Sequence, residues 1–141
     1  MFANDDNSLR SILERTRTIA LVGYSANPDR ASNEVAHFLN QVGYRIIAIN
    51  PGLAGQMAFG NAVFAELTDV TEPVDMVDVF RKAEDTPAIA RQAVAVGAKT
   101  LWLQLGVVSE ESKKIVSDAG MSFVMDRCPK IEWPRLMKTG R

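Results

Sequence analysis

The chain of 141 residues contains a single cysteine, Cys128, and a single histidine, His37. One thiol cannot close an intrachain disulfide, and one thiol with one imidazole cannot furnish a Cys/His zinc site within one chain. An excess of one charge is lacking too: 16 Lys and Arg stand against 17 Asp and Glu, a net charge of −1. That excludes the broad basic field with which nucleic-acid binders displace counterions, while a local basic pocket for a small anion stays open. No apolar run approaches membrane-spanning length. The N-terminal segment carries Asp5, Asp6, Arg10, Glu14 and Arg15 where a signal peptide would be apolar. The expectation is a soluble cytoplasmic protein with neither a nucleic-acid nor a membrane partner.

What is present is ordinary for a globular chain, with 47% hydrophobic and 23% charged residues. The length fits one domain over 1–141, with an N-terminal helix at 1–16 and a C-terminal tail at 126–141. Leu9, Ile12 and Leu13 at i, i+3, i+4 predict a short helix over 6–16. The apolar run 18–23 predicts a first strand. A helix from Ser32 to Val42 follows, with Ser32 as its N-cap and Val35, Phe38, Leu39 and Val42 on one face. Residues 44–49 form a second strand, stopped by Asn50-Pro51-Gly52. Residues 52–74 read as loop with brief turns or a short strand.

The third strand spans 75–80. Thr86 caps a helix with Pro87 at N1, where a missing N–H costs nothing. The fourth strand is 100–104, and Ser109 caps a helix presenting Ile115, Val116 and Ala119 to the core. The fifth strand is 121–125, before a tail of irregular chain with a short helical turn. Three times a helix ends in glycine and an apolar strand begins, at Gly43, Gly97 and Gly120. These joints, with strands apolar throughout, predict an α/β fold: a Rossmann-like, doubly wound parallel sheet of five strands with helices on both faces. The expected order is 3-2-1-4-5, with the switch point between the first and fourth strands.

Ligands of such sheets bind outside the carboxyl ends of the strands. Here those ends read Gly23-Tyr24-Ser25-Ala26-Asn27, Asn50-Pro51, Phe80-Arg81, Gln104-Leu105-Gly106 and Asp126-Arg127-Cys128. They offer hydrogen-bond donors, a glycine that permits close approach by a ligand, and guanidinium groups. The first loop reads as a nucleotide site, yet Ser25 and Pro28 stand where a G-x-G-x-x-G loop has its second and third glycines.

The set Val22-Gly23-x-Ser25-x-Asn27-Pro28-x-Arg30-x-Ser32, Asn50-Pro51, Asp78-Val79-Phe80-Arg81, Trp102-Leu103-Gln104-Leu105-Gly106 and Asp126-Arg127-Cys128-Pro129 resembles the small stand-alone CoA-binding proteins. These are similar in fold to the CoA-binding domain of the succinyl-CoA synthetase alpha chain. The likeness runs from Arg17 to Leu136. It implies a non-catalytic domain that holds coenzyme A, free or as an acyl-CoA, across the strand ends. By that resemblance the loop Gly23, Tyr24, Ser25, Asn27 and Arg30 would meet the nucleotide phosphates. Asn50 and Pro51 would border the adenosine, and Phe80, Arg81, Gln104 and Gly106 would line the rest, pantetheine included. The synthetase's second domain with its phosphorylated histidine has no counterpart, so ligase activity does not carry over.

Plainer readings compete. Gly23 can be a strand terminator, Asn50-Pro51-Gly52 a turn, and Arg81 a partner for Glu84 at i+3. Arg30 can be a solvated loop charge. His37 falls on the exposed side of its helix, away from catalysis. Cys128 reads first as a small buried hydrophobe, and second as a thiol near the pantetheine end that could form a mixed disulfide. Trp102 and Trp133 read as packing residues, and Asp75 with Asp78 lacks a partner base. The alternative function is an NAD(P)- or other nucleotide-binding enzyme with a degenerate Rossmann loop, although the second strand ends in Asn50 rather than an acid for ribose. A receiver-like domain would need acids where the first and third strands end in Gly23 and Phe80.

Overall fold

The computed structural model describes residues 4–137. Helix α1 (Asp6–Arg15) starts at Asp5, whose carboxylate accepts the Ser8 N–H and so satisfies a donor the helix leaves orphaned. Its buried residues are Leu9, Ile12 and Leu13, as their spacing predicts. Strand β1 (Thr18–Val22) leads through α2 (Ala31–Gln41) to β2 (Arg45–Ile49). A small hairpin, β3 (Met57–Ala58) and β4 (Asn61–Ala62), follows. The chain continues as β5 (Met76–Val79), α3 (Thr86–Ala95), β6 (Thr100–Leu103), α4 (Glu110–Asp118), β7 (Ser122–Val124) and α5 (Pro129–Met137). Among the described residues no helix is long and apolar enough to cross a membrane.

The five long strands form one parallel sheet, and their side chains alternate between two apolar layers. Ile19 and Leu21 of β1 pack with Leu9, Leu39 and Leu136 from α1, α2 and α5. Ala20 and Val22 pack on the other face with Ile89 and Ala93 of α3 and Val116 of α4. The doubly wound Rossmann-like reading therefore holds.

The strand order does not. The sheet runs β2-β1-β5-β6-β7, so the third long strand lies beside the first rather than outside the second. Ile19 to Val22 of β1 register against Met76 to Val79 of β5. The outer edge of β2 is already occupied. Phe64 forms a parallel bridge with Ile49, its N–H donating to the Ala48 carbonyl at 3.1 Å and its carbonyl accepting from Asn50 at 2.9 Å. The Asn61 amide donates to the Ile46 carbonyl at 3.1 Å on the same edge. The chain then crosses the sheet face, burying Leu67, Val70 and Val74, and reaches the free side of β1. The switch point consequently lies between β1 and β5.

Four local expectations are also corrected. The N-cap position of α2 is Arg30, and Ser32 sits inside the helix with its hydroxyl accepting the Ser25 N–H at 3.0 Å. Thr86 is the first residue of α3 and follows a 3₁₀ turn, Ala83–Asp85. Its hydroxyl donates back to the Ala83 carbonyl and meets Ser112 of α4. Ala119 is exposed, because α4 has ended at Asp118. The tail forms a nine-residue helix rather than a short turn, clasped to α1 by Arg135, which pairs with Asp6 and Glu132. Residues 138–141 of the expected tail, and 1–3 of the N-terminal segment, lie outside the described residues.

Candidate functional site

Beyond the carboxyl ends of β1 and β5 the chain turns to opposite faces of the sheet, toward α2 after β1 and toward α3 after β5. A crevice of about 1190 Å³ opens between them. Gly23, Tyr24, Ser25, Arg30, Asn50, Pro51, Phe80, Arg81 and Gln104 all border it, nine of the eleven residues expected from the sequence. Asn27 and Gly106 stand outside its wall. A smaller concavity of about 660 Å³ at the amino ends of the strands, beside Arg15, Asp75 and Lys99, contains none of the expected residues.

The first loop is organised from within. The N–H groups of Gly23 and Tyr24 both donate to the Ile49 carbonyl, at 3.1 and 3.2 Å. Asn27 donates its N–H to the Ser25 hydroxyl, and its side-chain oxygen accepts from Asp29 at 2.9 Å. Its carbonyl accepts from Arg30. Most backbone donors of this loop are thus used in shaping it, which limits what they can offer a phosphate. Asn50 is similarly committed: its amide donates to the Tyr24 carbonyl at 2.6 Å and accepts from Gly52 at 2.7 Å. Its side chain braces the first loop against the second, and the turn reading accounts for it. Tyr24 is buried, its ring set edge-on to Phe59 at 5.7 Å.

Positive charge remains available. Arg30 and Lys82 are exposed on opposite walls of the crevice, and no ion pair engages either among the described residues. Arg81 is half-exposed and pairs with Asp85 at 3.2 Å, one residue beyond the Glu84 expected from spacing. Guanidinium and ammonium groups at such a switch point suit phosphate oxygens. Gln104, on the crevice wall, has a buried side-chain oxygen with no hydrogen-bond partner among the described residues. Gly106 has its N–H on the Asp126 carboxylate at 2.7 Å, which ties the loop after β6 to the loop after β7.

Sequence reasoning missed Lys82, although it directly follows Arg81 at the strand end. It also missed Glu66, Leu67, Ile89 and Val107 on the crevice wall. Glu66 and Leu67 carry no motif and reach the site only because the chain crosses the sheet between β2 and β5. Cys128 is buried in the apolar layer with Trp102 and Leu136, away from the crevice. His37 is exposed, its ring edge-on to Phe59 at 4.9 Å. Trp102 is buried and donates its indole N–H to the Arg127 carbonyl at 2.9 Å.

Asp78 lies in the middle of β5, fully buried, registered between Leu21 and Trp102. Among the described residues neither carboxyl oxygen has a well-formed hydrogen bond, and desolvation pushes its pKa up to about 8 against slight relief from the Val79 N–H. It is therefore a neutral acid at pH 7.

A family model described as "CoA binding domain" matches residues 17–134. The Bacillus subtilis (strain 168) protein YneT is 35% identical over 123 residues, spanning 87% of this chain and 90% of that protein. Among solved structures, cell-free ID.343 from Thermus thermophilus superposes with a TM-score of 0.89 at 36% identity. That match covers 94% of this chain and 98% of the other. A hypothetical protein from Pyrococcus horikoshii OT3 gives a TM-score of 0.88 at 33% identity, covering 94% and 92%.

Proposed function

The chain belongs to the CoA binding domain family, and from that premise we propose that it is a non-catalytic protein that holds coenzyme A in the crevice between β1 and β5. The observation that carries this reading is the convergence of Arg30, Arg81 and Lys82 on the switch point, from the loops that lead into α2 and α3. Coenzyme A brings a pyrophosphate and a 3′-phosphate. Each charge-assisted hydrogen bond to them contributes roughly 1.5–3 kcal/mol.

The non-catalytic part rests on what the wall is made of. Its polar groups are cations, carboxylates, the amides of Asn50, Gln92 and Gln104 and the hydroxyls of Tyr24 and Ser25, while the single thiol is buried in the core and the single imidazole lies on Phe59. The committed side chain of Asn50 also speaks against an NAD-type ribose contact at the end of β2. A thermal-shift panel with coenzyme A, acetyl-CoA, NAD and NADP tests the reading. Stabilisation by the coenzyme A species alone is the expected result. Stabilisation by NAD or NADP in their place would favour the nucleotide-enzyme alternative.

A further inference from the structure

The hairpin of β3 and β4 turns through Phe59 and Gly60, with φ of +54 and +80. A two-residue turn with both central residues at positive φ matches the twist of a hairpin, and it favours asparagine and glycine. Gly60 meets that demand. Phe59 does not. A bulky side chain on left-handed backbone is strained, and such strain persists only where the surroundings hold it.

The surroundings are identifiable. The Asn61 amide donates to the Phe59 carbonyl at 3.2 Å and to the Ile46 carbonyl at 3.1 Å, which fastens the turn to β2. The half-buried Phe59 side chain packs against the apolar layer on that face of the sheet. Its ring meets two others edge-on, Tyr24 at 5.7 Å and His37 at 4.9 Å. Asparagine would suit the turn better, so what Phe59 contributes is its ring.

Tyr24 is the contact that leads to the crevice. It is 6% exposed and forms part of the crevice wall. Its backbone is tied on both sides, the N–H to the Ile49 carbonyl and the carbonyl to the Asn50 amide. Its side chain is held more loosely by polar contact, since the Asn33 amide reaches the hydroxyl at 3.4 Å, long for a hydrogen bond. Packing against Phe59 therefore does much to fix this ring, and the loop that runs on to Arg30 starts from it. Phe59 itself stands outside the crevice wall.

Resting on the coenzyme A reading, we propose that Phe59 is a positioning residue for the crevice. Its ring, set on the strained turn of the hairpin, holds Tyr24 and with it the loop 23–30 in the shape that receives the ligand. A loop ordered in advance does not have to be ordered at the moment of binding, and affinity gains by that difference.

Phe59→Asn tests this, because asparagine accepts the positive φ and keeps the turn. Coenzyme A calorimetry is paired with amide hydrogen exchange of the unliganded protein, read separately over 23–30 and over β5 and β6. The variant is expected to bind coenzyme A roughly fivefold more weakly than the parent. Exchange is expected to quicken over 23–30 while β5 and β6 keep the parent's protection. Phe59→Leu, which keeps apolar bulk on the core, is measured alongside with the same expected direction, and it carries the test if Phe59→Asn does not fold. Unchanged affinity in a folded variant, or exchange over 23–30 raised no more than in the sheet, would overturn the positioning role alone. Failure of the parent to bind coenzyme A would overturn it together with the reading it rests on.

Discussion

Gly23 and Phe80 are packed so closely that a Cβ on Gly23 would lie 2.5 Å from the Phe80 carbonyl oxygen. Gly23 also has φ +89, a backbone conformation that side chains strain. The loops after β1 and β5 therefore meet backbone to backbone, and the crevice begins where they part. The glycine expected to admit a ligand is required first by this close approach. Gly23→Val should destabilise the fold, by about 1–3 kcal/mol from the left-handed backbone alone and more from the clash. A melting temperature at least several degrees below the parent's is the expected outcome, and a parent-like value would contradict this role for Gly23.

Asp85 holds Arg81 at 3.2 Å on the crevice wall, so a phosphate must compete with a carboxylate for that guanidinium. Asp85→Asn removes the competitor and one negative charge. Calorimetry should show coenzyme A bound several-fold more tightly by the variant, with the gain shrinking as salt is raised.

The buried carboxyl of Asp78 sets a pH dependence. Its folded-state pKa of about 8 lies above the ordinary 3.8, so the folded protein retains a proton that the unfolded chain loses. Stability from this group falls as pH rises from 3.8 toward 8 and is level above that. Asp78→Asn has no such titration. Denaturant unfolding should show a smaller decline between about pH 5 and 8 for the variant than for the parent, on the scale of the roughly 1.4 kcal/mol that each pH unit represents.

Cys128 sits in the apolar layer with Trp102 and Leu136. Incubation of the folded protein with oxidised coenzyme A should give no reductant-sensitive adduct by intact mass, whereas the urea-unfolded chain should form one at Cys128. A stoichiometric adduct on the folded protein would return the thiol to the site.

Much of this was legible in the residues. Helix-glycine-strand joints at Gly43, Gly97 and Gly120 specify alternating elements locally, so the strands and both layers follow from short-range pattern. Strand order depends on long-range competition for the edges of β1 and β2. Nothing in the residues around Phe64 announces that this one residue occupies the outer edge of β2. The same limit hid Glu66 and Leu67 from the site. Residues of the loops after the strands, such as Arg30, Arg81 and Gln104, border one crevice because the carboxyl edge of a parallel sheet is one surface in any order. Asn50 and Asn27 stand out in the sequence as polar residues after strands, but whether an amide faces a ligand or braces a loop depends on its partners in the fold, such as the Tyr24 carbonyl for Asn50.

Coenzyme A held between Arg30 and Lys82, on opposite walls of the β1/β5 crevice, is the claim on which the rest depends. Calorimetric titration of the parent and of Arg30→Ala/Lys82→Ala with coenzyme A tests it most directly. Both side chains are exposed and outside any ion pair among the described residues, so the variant should melt like the parent. The parent should bind one coenzyme A per chain, and the double variant should bind it about 100-fold more weakly, roughly tenfold for each cation removed. No binding by the parent, or unchanged affinity in a folded double variant, would contradict the claim.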